Sequence, residues 1–209
     1  MRNTLSDVVA AALRVLDAQG LEGCSMRRVA AELDVQPSAL YHHVPNKQSL
    51  LALMADEIVA AVPDPELLSV SDAAASDDTD RARFICLALR GAMLQVRDGA
   101  DVVATAAAFR LGSSAVERRL AALVGADGAR TLLLYTFGHA QATQTHRQAA
   151  ALGALGGLVG GGDGDSGAAD GVQTTRPDAD PAADLDASFE RGLDIVVAGL
   201  TVPCSHGFA

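Results

Sequence analysis

SMRRVAAELDVQPSALYHHVPNK, residues 25–47, reads as two short helices joined by a tight turn, and this stretch decides the fold. Ser25 stands as an N-cap before Met26, Val29, Ala30 and Leu33, which fall at i, i+3, i+4 and i+7 and form one apolar face that must pack on something. Arg27 and Arg28 are left near the exposed start of that helix. Asp34 tolerates the left-handed conformation that reverses the chain, and Pro37 suits the first turn of the next helix, where its missing N–H would have had no partner. Leu40 and Val44 then point inward, leaving Ser38, Ala39, Tyr41, His42 and His43 to face out, with Lys47 just beyond. This is the layout of a DNA-reading helix-turn-helix. Small opening residues let the backbone approach base edges, and Tyr, His and Lys bond phosphate oxygens. The candidate DNA-binding set is therefore Arg27, Arg28, Pro37, Ser38, Ala39, Tyr41, His42, His43 and Lys47. The alternative is an ordinary helical hairpin with a solvated face, but solubility alone does not call for this order of cap, proline, aromatic and basic residues.

Working outward, Thr4 and Asp7 form a T-x-x-D capping box ahead of Leu5, Val9, Leu13 and Leu16, with Gly20 where that helix would stop. Asn46 caps a longer helix through about Val62, with Leu50, Leu53, Met54, Ile58 and Ala61 as its packed stripe, ended by Pro63, Asp64 and Pro65. This helix joins the reading head to the rest of the chain. After an acidic loop at 66–80, helices are expected over 80–97 (with Phe84, Leu87, Ala88, Gly91 and Leu94 on one face), 99–107, 113–124 and 126–152. From Gly153 to Asp184 the chain is mostly Gly, Ala, Asp, Pro and Ser and reads as a flexible surface loop. A last helix, 185–200, presents Leu185, Phe189, Leu193, Val196, Val197 and Leu200. So wide a stripe on a terminal helix points to an oligomer contact.

The expected fold is all-α. A three-helix helix-turn-helix domain spans 1–46, a connecting helix 47–62, and a second helical domain, which carries the oligomer contact, 63–209. Hydrophobic content of 49% is ample for a core, and an aromatic share of 3% without Trp means that the core is built from Ala, Leu and Val, which favours closely packed helices. The net charge of −10 looks wrong for a DNA binder until it is divided. In residues 1–50, Arg2, Arg14, Arg27, Arg28 and Lys47 balance Asp7, Asp17, Glu22, Glu32 and Asp34, so the whole excess lies beyond them. Phosphate attraction is local to the head, and the acidic remainder limits nonspecific adhesion to DNA. Cys24, Cys86 and Cys204 are scattered with no C-x-x-C pair, as expected of reduced thiols in a cytoplasm. The run AAALGALGGLVGGG is too short and too rich in Gly to span a bilayer, so a soluble cytoplasmic protein without a membrane partner is expected.

Other chemistry is thin. Gly162, Gly164 and Gly167 match G-x-G-x-x-G but sit in acidic low complexity without the strand and helix that a phosphate cradle needs. His139 and His146 share a helical face but lie roughly 10 Å apart, too far to ligate one metal unaided. No nucleophile elbow, paired carboxylate motif or H-E-x-x-H is present, so no metal, cofactor or catalytic role is expected.

The segment ALRVLDAQGLEGCSMRRVAAELDVQPSALYHHVPNKQSLLALMADEIV resembles the DNA-binding domain of the TetR family of bacterial transcriptional repressors. RDGADV at 97–102 and FERGLDIVVAGL at 189–200 resemble the C-terminal domain of its tetracycline-repressor subgroup. Asp34 departs from the glycine usual in that turn. The resemblance implies a homodimer whose long helix, here 126–152, and last helix form a four-helix bundle with the same pair of a second subunit, with small Gly138, Ala140 and Ala142 allowing close approach. It also implies an effector cavity. Positions matching the polar and metal-linked grip on a magnesium-bound drug are Pro63, Ile85, Leu89, Val103, Ala106, Ala107 and Arg147 here, with only His139 retained. That favours a largely apolar effector, held by Ile85, Leu89, Val103, Phe109, Tyr135 and His139. The expected function is a ligand-responsive repressor that binds a near-palindromic double-stranded DNA operator as a homodimer and is released by a small-molecule effector. The alternative is a ligand-binding or interaction protein without operator binding.

Overall fold

The computed structural model describes residues 3–64, 77–111, 115–151, 153 and 181–200. Every regular element among them is an α-helix: α1 (Leu5–Gly23), α2 (Met26–Glu32), α3 (Pro37–Leu40), α4 (Lys47–Ala60), α5 (Asp78–Leu94), α6 (Gly99–Ala108), α7 (Ala115–Ala151) and α8 (Pro181–Leu200).

The head forms where the caps predict. The Thr4 side chain accepts from the Asp7 amide at 3.2 Å while the Asp7 carboxylate accepts from the Thr4 amide at 2.7 Å, closing the capping box of α1. Leu5 of the expected stripe is exposed, and Val8, Ala11, Ala12 and Val15 fill the interface with Val9 and Leu16, because small residues let α2 and α4 approach closely. α1 does not end at Gly20. The backbone breaks there (φ 71°, ψ 176°) and makes one more turn before Cys24. Ser25 caps α2, Asp34 takes φ 53°, and the Val35 amide closes the reversal onto Ala30 O at 3.0 Å. The second helix is shorter than its pattern: α3 holds only Pro37–Leu40, and Tyr41–His43 form a turn that returns Val44 N to Leu40 O at 2.8 Å.

Asn46 caps α4 by accepting from Ser49 N at 2.8 Å. Its buried residues, Leu50, Leu51, Ala52, Met54, Ala55 and Ile58, run around the helix rather than along one stripe, since α1 covers one side and α5 with α6 another. Ala61, expected inside, is exposed. In the body, α5 turns Ala82, Ile85, Cys86, Leu89 and Met93 inward and leaves the expected Phe84, Leu87, Ala88, Gly91 and Leu94 half-exposed. α7 is interrupted at Gly125 (φ 75°, ψ 168°), giving the two arms expected on either side of that residue. It packs on α5, α6 and α8. By length and composition alone α7 could cross a membrane, but both arms are elements of this helical body.

α8 starts at Pro181, so residues 181–184 of the expected loop are helical; most of that loop, and the glycine motif at 162–167, lie outside the described residues. So do most of the 66–80 segment, Ser113 and Cys204. On α8, Phe189 and Leu193 are fully buried against their own chain, as is Ala140 on α7, which takes these residues out of any exposed dimer face. A Cβ at Gly192 would collide with Tyr135 Oη, which shows how closely α8 approaches α7 there. Arg83 reaches Asp194 at 2.6 Å and Glu190 at 3.2 Å, fastening α5 to α8.

Candidate nucleic-acid interface and cleft

At the far end of the head, Arg27, Arg28, Ser38, Ala39, Tyr41, His42, His43 and Lys47 are all exposed, and Pro37 is half-buried at the start of α3. Leu40 and Val44, fully buried between them, anchor this surface to the head's core. Tyr41 is 52% exposed, an amphipathic ring in solvent with its hydroxyl free to reach a phosphate. The two arginines are not equivalent. Arg28 Nη1 donates to Gly23 O at 3.0 Å, closing the end of α1, whereas Arg27 has no partner among the described residues. The Arg14–Glu32 ion pair, 2.8 Å, braces α1 against α2 behind this face.

The body holds a cleft of about 840 Å³, open on one side and lined by α4, α5, α6, α7 and the turn after α6. Such a volume suits a drug-sized molecule. Its apolar wall is Val59, Leu89, Val103, Leu111, Val116, Leu133 and Phe137; its polar groups include Asp56, Thr105, Glu117, Arg130 and Gln141. Phe109 and Leu134, 71% and 66% exposed, stand at its rim.

Of the residues expected to hold an effector, Leu89, Val103 and Phe109 line this cleft and Ile85, Tyr135 and His139 do not. Ile85 is fully buried. Tyr135 and His139 belong to another face of α7, where Tyr135 stacks on Phe189 (centroids 5.4 Å) and His139 meets the same ring edge-on (5.0 Å). Arg90 lies over Phe189 at 4.8 Å and pairs with Asp186 at 2.7 Å. Tyr135 Oη donates to Phe189 O at 3.0 Å, and His139 Nδ1 lies 3.2 Å from Thr143 Oγ1. Burial, with the Arg90 charge second, holds the His139 imidazole below its ordinary value; burial pushes the Tyr135 phenol up. The cleft face of α7 is Leu134, Phe137, Gly138 and Gln141. These four fall at i, i+3, i+4 and i+7, but nothing in that spacing marks the wall of a void. Among the described residues no His, Cys, Asp and Glu cluster could hold a metal ion. The Cys86 thiol is pushed up to about 11 by burial and is no nucleophile.

An all-helical chain with an exposed helix-turn-helix head, joined by one helix to a body with an open cleft, has the build of a one-component regulator. Residues 8–54 match the model of the bacterial regulatory proteins of the tetR family. Similarity to the tetracycline repressor protein class A from transposon 1721 of Escherichia coli extends to 30% identity over 92% of this chain and 88% of that protein. The chain belongs to the TetR family. Other likenesses are more local: the HTH-type transcriptional repressor DrrR1 of Streptomyces coeruleorubidus is 56% identical over 55 residues, 26% of this chain and 20% of that protein. The matches to DrrR1 and to the tetracycline repressors of classes E and D span 20%, 28% and 42% of those proteins' lengths. Among solved structures, Mycobacterium smegmatis BioQ superposes with a TM-score of 0.74 at 30% identity, covering 95% of this chain and 97% of that one. BioQ with its natural double-stranded DNA operator superposes with a TM-score of 0.66 at 28% identity, covering 95% and 98%.

Proposed function

We propose that this chain is a ligand-responsive transcriptional repressor that binds a near-palindromic operator as a homodimer and is released by a small, largely apolar effector. The observation that carries the reading is the span of α4. Its first residue, Lys47, belongs to the exposed basic face, and its later residues Ala55, Asp56 and Val59 line the cleft. One rigid rod thus touches both sites, and a molecule that wedges the cleft displaces the head. In a dimer, two heads about 34 to 36 Å apart occupy successive major grooves, and a small tilt of each rod spoils that spacing. The coupling required is about 1 to 3 kcal/mol, or roughly 5- to 150-fold in affinity.

The division into a reading head (1–46), a connecting helix (47–62) and an effector and dimer domain (63–209) follows from the same reading, as does a cytoplasmic site of action. The relatives are regulatory proteins, and the chain is proposed to have no catalytic role. BioQ, solved with operator DNA, supports the nucleic-acid half of the proposal. The test is selection of duplexes from a random library by the full-length protein, followed by fluorescence anisotropy at several salt concentrations. Enrichment of a palindrome, with its release by molecules extracted from the purified protein, is expected. Binding that is weak and indifferent to sequence would overturn the proposal.

A further inference from the structure

Three glutamines on α7, Gln141, Gln144 and Gln148, fall at i, i+3 and i+7 and therefore share one face. All three bond to residues 96–101, the turn between α5 and α6 together with the first residues of α6. Gln141 Nε2 donates to Asp101 Oδ1 at 2.7 Å. Gln144, buried, donates to Val96 O at 2.7 Å and accepts from Ala100 N at 3.0 Å, and Gln148 Nε2 donates to Asp98 Oδ1. The turn in turn grips α1 at its break. Asp98 Oδ2 accepts from Leu21 N at 2.7 Å, the first amide after Gly20, and Arg97 Nη1 donates to Asp17 O and Ala18 O at 3.1 and 3.2 Å. Asp98 adopts a left-handed backbone (φ 54°, ψ 17°), which aims its carboxylate between α1 and α7. Only a carboxylate accepts in this way from both sides, since an amide has a single acceptor oxygen.

We infer that this glutamine ladder is a second linkage between cleft and head, separate from α4: Gln141 lines the cleft, and the ladder passes its position through Asp98 to the Gly20–Leu21 break in α1. The inference deepens the effector reading of the cleft and rests on it. A ligand that takes Gln141 away from Asp101 loosens the 96–101 turn and so the grip on α1, while α4 moves independently. The head is held at two helix ends by the body's side chains, at α1 by Arg97 and Asp98 and at the end of α4 by Arg119, whose Nη2 donates to Pro63 O at 2.6 Å. The α1 hold lies three residues along the chain from Asp101, the partner of the cleft residue Gln141, and Asp98 itself accepts from Gln148 on the same face of α7.

Amide hydrogen exchange of the full-length protein, read by NMR at Leu21 with Val29 in the head's core as reference, tests this. Asp98→Gly keeps the left-handed backbone available and removes only the side chain; it is expected to speed Leu21 exchange about 10-fold or more, the worth of a hydrogen bond to a charged group. Gln148→Leu and Gln141→Leu are each expected to speed it about 3-fold, with Val29 unchanged, and the Gln141→Leu effect is expected to vanish in the Asp98→Gly background. Leu21 exchange unaltered by either glutamine variant, a Gln141→Leu effect that survives Asp98→Gly, or equal acceleration at Val29 would overturn the relay. Exchange needs neither operator nor effector, so its outcome is separate from that of the operator selection.

Discussion

Replacing Gly20 with Ala is expected to destabilise the chain more than the same change at Gly125, although the two glycines have nearly the same backbone. Gly20 sits at φ 71°, ψ 176° and Gly125 at φ 75°, ψ 168°, a region open essentially to glycine alone, where any side chain costs about 1 to 3 kcal/mol. Their surroundings differ. A Cβ at Gly125 meets nothing within 4 Å, whereas at Gly20 it would lie 2.9 Å from Asp98 Oδ2 and 3.4 Å from Arg97 Nη2. The Asp98 carboxylate has to give way, and its bond to Leu21 N weakens or breaks, adding about 1.5 to 3 kcal/mol. At about 2 to 4 °C per kcal/mol for a chain of this size, Gly20→Ala melts roughly 3 to 12 °C below Gly125→Ala. Thermal unfolding followed by far-ultraviolet circular dichroism measures both. Coincident melting curves would refute the idea that Asp98 contributes to holding the head.

Leu134→Glu combined with Ile195→Glu, at positions 66% and 73% exposed, is expected to yield folded monomers on sedimentation; a persisting dimer places the contact elsewhere. Leu193→Glu is instead expected to unfold the body, because Leu193 is fully buried within its own chain. Lys47→Ala is expected to lower the magnitude of the log K against log salt slope on operator DNA by about 1 per protomer, and an unchanged slope would remove Lys47 from the phosphate contacts. With His139 held below its ordinary value of 6.5, the unfolded chain takes up a proton at higher pH than the native one, so stability falls as pH drops through about 6.5. His139→Gln removes that part of the slope in urea denaturation at about pH 5.5 and 7.5, and an undiminished slope assigns it to other groups. Cys86, fully buried, is expected to react with a bulky thiol reagent only after unfolding, with labelling followed by mass spectrometry.

The head was legible because its signals are local. Thr4 with Asp7, Ser25, Asp34, Pro37 and Asn46 each act on backbone within a few residues, and the structure uses every one. The body was legible in its helices but not in its faces. α5 is apolar around much of its circumference, so neighbours rather than period decide that Ile85 and Leu89 go inside and Phe84 and Leu87 stay half-exposed. The resemblance implied the cleft, and Leu89, Val103 and Phe109 line it, but the rest of its wall was not legible for a related reason: a void is what four elements fail to fill, and no single helix encodes it. Tyr135 and His139 drew attention by their chemistry, yet each is the sequence neighbour of a cleft residue, Leu134 and Gly138, and a rotation of about 100° around α7 turns it from the cleft to Phe189. The glutamines at 141, 144 and 148 carried a visible i, i+3, i+7 signal, but polar periodicity ordinarily marks a solvated face, and only the fold shows Gln144 buried.

The grip of Arg97 and Asp98 on α1 bears on how DNA specificity could be transplanted. A chimaera joined at residue 46 would graft Asp17, Ala18, Gly20 and Leu21 from one parent onto the 97–101 turn of another. Unless the incoming α1 carries the same glycine break, the donor carbonyls and the recipient arginine fall out of register, and the grafted head is then steered by α4 alone. On the proposed function, such a hybrid is expected to recognise its new operator while answering its effector poorly. Portability therefore depends on a joint some 25 residues upstream of the splice, and inheriting head and turn together is the condition for a regulator that still switches.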